Sequence, residues 1–258
     1  MLCLLALPLA GIFGQSPVKP DPQTEKAEEV IAKAAAKLGG QAYLNAQNSV
    51  GEGNLSLLQQ GKIGSYMSFV DVIVFPDRER TDFEERGSKT VQVNTGETGW
   101  IYEEHLERFG DQTELQIDGF KRAIRTHFDH LLRGVWKGDA ELSYIGRRPS
   151  TPGKRNDVVR LDFGDGFWTE YEFDDEGLPM KTIFATAGPD DTLLTEENRY
   201  GRYVSTGGIL YPSVVDRFRN DVHIYRATYE SMEFNKRIPD EIFVKPEDPK
   251  KLRKKLKI

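Results

Sequence analysis

From Ala27 the apolar residues recur at helical spacing, with Ala27, Val30, Ile31, Ala34 and Leu38 on one side of a helix. Asp21 and Pro22 suit the N-cap and first helical position, and Gly39-Gly40 ends the pattern. The spacing predicts one amphipathic helix with a single face to bury.

From Val50 the period changes to two. Runs at about 50–58, 64–75, 78–86, 89–95 and 98–103 are punctuated by Gly, Pro and Asp, which predicts an antiparallel meander. The segment QIDGFKRAIRTHFDHLLRGVW interrupts it: Ile117, Phe120, Ile124, Phe128, Leu131 and Leu132 mark one side of a second helix ending near Gly134. Strand patterns resume at about 141–148, 155–163, 166–174, 179–187, 192–205, 209–219 and 222–235, for an upper count of about twelve.

Val159, Leu161 and Phe163 alternate with Arg160 and Asp162, and Phe167, Tyr171 and Phe173 with Glu170 and Glu172. The sheet is therefore expected to have one apolar face. Two amphipathic helices are too few to cover a wide sheet, so a cavity lined by aromatic residues is expected.

Composition narrows the context. Leu2 to Gly14 is a run without charge that has the length of a secretion signal, although no Lys or Arg precedes it. The expected organisation is a signal at 1–14, a linker at 15–23, one domain at 24–246 and a basic tail at 247–258. The only cysteine, Cys3, falls in the signal, so no disulfide or thiolate chemistry is expected in the mature chain. Formal net charge is −6, although Lys250, Lys251, Arg253, Lys254, Lys255 and Lys257 crowd the end of the chain. The acidic body argues against binding along a nucleic-acid backbone. The tail could instead meet anionic lipid headgroups.

Enzyme signatures are weak. In VQVNTGETGWIYEE a strand rather than a helix follows the glycines, and no Lys completes a phosphate loop, so TGET is expected to be a hairpin turn. Asp162-Phe163-Gly164 lacks every other kinase element and is expected to be a strand end. The sharpest catalytic candidate is THFDH, where His127 and His130 could share a metal beside Asp129, but no third ligand is evident. Acid pairs such as Glu84/Glu85 lie at strand ends, and no Gly-x-Ser-x-Gly elbow exists.

The amphipathic helix ending in Leu38-Gly39-Gly40, then VGEGNLSL, FPDRERTDF, NTGETGWIY, the mid-chain helix and the closing FVKP resemble the LolA/LolB-like group. The segment Pro76-Asp77-Arg78-Glu79-Arg80 and Trp100 are the positions carried over from that resemblance. That resemblance implies an α+β, mainly antiparallel fold: a strongly curved, incomplete β-barrel of about 11 strands, covered by the N-terminal and mid-chain helices. It further implies a cavity of the kind that holds lipoprotein acyl chains in the outer-membrane sorting carriers.

The expected function is an exported, non-enzymatic, monomeric carrier in the periplasm or cell envelope. It would bind a lipid, a lipidated protein or another hydrophobic ligand without cofactor or metal. Expected lining residues are Leu55, Leu57, Phe69, Ile73, Trp100, Tyr102, Leu161, Phe163, Tyr171, Phe173 and Phe184. The alternatives are an envelope interaction scaffold with a filled core, and a metal-dependent hydrolase around His127 and His130.

Overall fold

The computed structural model describes residues 21–187, 192–253, 256 and 258. The expected signal, and Lys254, Lys255 and Lys257 of the tail, lie outside the described residues. Helix α1 (Pro22–Leu38) leads through a short turn, α2 (Gln41–Leu44), into the first meander. Its strands are β1 (Asn48–Gln59), β2 (Lys62–Val74), β3 (Arg78–Glu85), β4 (Ser88–Thr95), β5 (Thr98–Glu103) and β6 (Arg108–Asp111). Then come α3 (Glu114–Thr126) and α4 (Phe128–Leu132). The second meander follows as β7 (Glu141–Pro149), β8 (Arg155–Asp162), β9 (Trp168–Phe173), β10 (Pro179–Ala187), β11 (Leu193–Thr206), β12 (Ile209–Arg219) and β13 (Val222–Phe234).

All form a single 13-stranded antiparallel sheet, with β6 at one edge, β7 at the other, and β1 paired to β13 in the middle. The sheet does not close on itself, and α3–α4 carries the chain from one edge to the other. This is the curved, incomplete barrel expected, with thirteen strands where the resemblance implies about eleven and the alternating runs number about twelve. The overlooked strand is β6: RFGD is too short to alternate, and it is held by pairing with β5, Phe109 opposite Tyr102.

The mid-chain helix also differs from expectation, because it breaks at His127. That residue has extended backbone (φ −77°, ψ 141°), and its ring Nδ1 accepts the backbone N–H of Asp129 at 3.2 Å, capping α4. Apolar spacing alone could not show the break, because Phe128, Leu131 and Leu132 stay buried on the new helix.

Helix α1 seats Ala27, Val30, Ala34, Ala35 and Leu38 on the inner face of the sheet. They join Phe128 and Leu131 of α4, Val159 and Leu161 of β8, and Tyr171 and Phe173 of β9. At the helix end Gly39 (φ 130°) lies so close to the β11–β12 turn that a Cβ there would stand 2.5 Å from the Gly208 carbonyl oxygen.

One apolar face holds only for the second meander. There the outer Glu170 and Glu172 are buried, yet they are paired to Arg148 at 2.7 and 3.0 Å, and Asn156 donates to Glu172 at 3.0 Å. In the first meander the outer face is apolar as well. Val72, Val91, Val93, Trp100 and Tyr102 pack against Phe243 and Leu252 from the C-terminal segment. Two polar ties fix that segment: Trp100 Nε1 donates to the Phe243 carbonyl (2.9 Å), and buried Arg80 donates to the Ile242 carbonyl (2.8 Å). Leu252, inside the basic tail, is only 5% exposed, so the tail is pinned to the body there.

Candidate ligand-binding site

Pairing separates the two faces. Trp100 lies across from Val93, Val93 from Arg80, and Arg80 from Val72, so all four share one face. Ile73, one residue on, therefore points to the opposite, inner face. There, beneath α3 and α4, is a largely apolar cavity of about 150 Å³. Ile73 and Phe75 form its floor; Phe120 and Ile124 of α3, with Val135 beyond α4, form its cover. That volume suits a ring or the end of a chain, comparable to an apolar cavity that takes up benzene.

Polar groups line the same cavity. Arg133 is held by five contacts: its Nε donates to Asp129 (3.2 Å), its Nη1 donates to the carbonyls of Leu44 (3.3 Å) and Ala46 (3.0 Å), and its guanidinium stacks on Phe75 (3.9 Å) and Tyr43 (4.6 Å). Its Nη2 is buried without a hydrogen-bond partner among the described residues. Neither ring nitrogen of His130 has one either, although the residue is only 7% exposed. Such unmet groups each cost about 1–3 kcal/mol. Burial, then the charge of Arg125, lowers the His130 pKa to about 4, so the ring is neutral at pH 7.

Two carboxyl groups lie on the inner face of β2 and β3. Burial, then the charge of Asp71, raises Glu79 to about 8, so this cavity-lining group keeps its proton at neutral pH. Asp71 is raised to about 6 by burial, partly offset by hydrogen bonds from Thr81 (2.9 Å) and Tyr229 (3.5 Å). Burial alone would raise Asp129, but the neighbouring His127 ring, Arg133 and the Tyr43 hydroxyl hold it well below the usual carboxylate range.

Of the expected lining residues, Ile73 lines this cavity. Phe69 shares its face and meets Tyr229 edge to face at 5.1 Å, while Leu55 and Leu57 lie farther along, Leu57 at the surface. Leu161, Tyr171 and Phe173 are part of the core under α1, with Phe163 packed against it. Phe184 is buried beside Phe167 and the Arg217 guanidinium. Trp100 and Tyr102 are on the other side of the sheet. The hairpin between β4 and β5 is found as expected, with Gly96 at φ 65°.

His127, Asp129 and His130 all line the cavity. Among the described residues no group of three His, Cys, Asp or Glu is placed to hold a metal. Sequence patterns missed Glu79, Asp71 and Arg133. Each is a charged residue whose inward position depends on strand register or on the helix break.

No protein-family model and no curated protein matches the sequence. Solved structures do match in shape. A DUF1329 family protein from Desulfovibrio piger superposes with a TM-score of 0.61 at 12% identity, over 86% of this chain and 97% of that one. A LolA superfamily protein from Nitrosomonas europaea gives 0.57 at 15% identity, over 85% and 97%. Nearly the whole of each relative is thus reproduced in this sheet and its helices, and the fold of this chain is LolA-like.

Proposed function

We infer that the protein is an exported, non-enzymatic carrier or binding protein that shelters a hydrophobic ligand between α3–α4 and the inner face of the sheet. The observation that carries this is the largely apolar cavity under a helix with few buried residues, in a LolA-like fold. Burial of apolar surface would supply affinity at roughly 25 cal/mol per Å², and the few polar groups specificity. Export rests on the uncharged run Leu2 to Gly14, and among the described residues no helix is long and apolar enough to cross a membrane. The cavity accepts a ring or chain end, so a full acyl chain requires α3 to move off the sheet. The tail cations, from Lys250 on, would bring the carrier to an anionic membrane surface where lipid or lipidated protein is exchanged.

The test is solvent extraction and native mass spectrometry of protein purified from its own compartment, together with uptake of an environment-sensitive fluorescent fatty acid. A co-purifying apolar molecule or saturable uptake is expected. Neither appearing would sink the carrier.

A further inference from the structure

We propose that the cavity under α3 and α4 selects a small apolar acid, an aryl or short-chain monocarboxylate, whose carboxylate is received by Arg133 Nη2 and the His130 ring. The proposal rests on the apolar-ligand reading above and names the ligand's chemistry.

Arg133 is not a flexible surface cation. Its Nε and Nη1 are committed to Asp129 and to two backbone carbonyls, and its plane is stacked on Phe75 and Tyr43, so its orientation is fixed before any ligand arrives. One nitrogen, Nη2, is left buried and unmet among the described residues; it and the His130 nitrogens are closed off from the cavity as it stands, and an entering acceptor reaches them as the apolar lining side chains shift. A guanidinium nitrogen can only donate, so what completes it is an acceptor. His130, buried in the wall of the same cavity with both ring nitrogens unmet, is neutral at pH 7 and offers one N–H and one lone pair. Glu79, protonated at that pH, adds a second neutral donor.

The acid class follows from what each alternative would leave. An alcohol or ester offers its oxygen without the charge that strengthens a bond to guanidinium. An amine brings donors to a site already short of acceptors, next to a fixed cation. An anion with a long body fits only once α3 moves off the sheet, whereas a carboxylate on a ring or short chain fits the about 150 Å³ of the cavity as it stands. The surrounding walls, Ile73, Phe120, Ile124 and Val135, suit the apolar remainder.

Isothermal titration at pH 7 with benzoate and hexanoate, set against benzyl alcohol and hexanol, tests this. The acids are expected to bind at least tenfold more tightly than the alcohols of matching size. Arg133→Met should abolish that preference and His130→Leu reduce it several-fold, while Glu79→Gln, which keeps a donor, retains it. If Arg133→Met fails to fold, loss of preference in folded His130→Leu, checked by circular dichroism, carries the test. Equal binding of acids and alcohols, or an unchanged preference in His130→Leu, overturns the carboxylate assignment and leaves the apolar carrier standing. Binding of none of the four probes overturns the small-acid proposal, and fatty-acid uptake and solvent extraction then decide the carrier reading separately.

Discussion

Helices α1 and α3 cover the same face of one sheet by different means. Helix α1 is held along its length by buried side chains, three of them alanines that let it lie close to the strands, and no side chain caps its N-terminus. Helix α3 buries only Ile117, Phe120 and Thr126 and is secured mainly at its ends. Thr113 and Gln116 form a reciprocal capping box at one end and Arg125 pairs with Asp165 on the β8–β9 turn at 3.2 Å at the other, while the exposed Lys121–Glu97 pair between them reaches the β4–β5 turn. A helix fastened at its ends can span a space, and a helix fastened by its face fills one. The cavity lies under the first kind.

That contrast can be broken most forcefully under α1. Leu38→Ala, at a fully buried position, is expected to cost about 2–5 kcal/mol in chemical denaturation. A cost below about 1 kcal/mol would mean that α1 is not face-packed.

The next effect belongs to the floor beneath α3. Because Glu79 is raised from 4.5 to about 8 in the folded state, the folded protein holds a proton that the unfolded chain has released between those values. Stability on this account is fully present below about pH 4.5 and is lost as pH rises towards 8. Glu79→Gln should match the parent at pH 4 and exceed it by roughly 4 kcal/mol at pH 8. Parallel pH profiles would contradict the burial of this carboxyl.

Ala123→Leu, which adds bulk to the cavity wall, should leave the melting temperature nearly unchanged while weakening uptake of an apolar probe about tenfold, or about 1.4 kcal/mol. Unaltered uptake would place the ligand elsewhere. Smallest is Thr113→Ala, expected to cost about 1 kcal/mol through loss of the capping box, with faster amide exchange confined to α3. Global loss of protection would show that α3 is not separately fastened.

Much of the fold was legible because period and punctuation agree. The switch from helical to alternating spacing near Val50, the TGET turn and the interruption by α3 all reappear. The missed pieces depend on non-local contacts. The strand β6 exists through its pairing with β5, and the apolar outer face of the first meander was hidden by Arg80 and Asp82. These are charged residues buried there by their mutual bonds (2.7 and 3.2 Å) and by the Ile242 carbonyl. For the same reason the bulky residues did not single out the site. Trp100 and Ile73 look alike as alternating positions, and only strand register sends one under the C-terminal segment and the other into the cavity. The THFDH cluster was visible, but its place at the break between two helices follows from the backbone of His127.

The β1–β13 seam has a kinetic consequence. Asn48 Nδ2 donates to the carbonyl of Lys236, 188 residues away, whereas every other strand pair among the described residues joins neighbours along the chain. Local hairpins can form early on each side, but this closure carries the largest loop entropy in the sheet. The cavity takes its floor from β2 and β3, and α4 is seated by the core of the second meander. Binding competence should therefore be acquired late in folding, after the hairpins have formed.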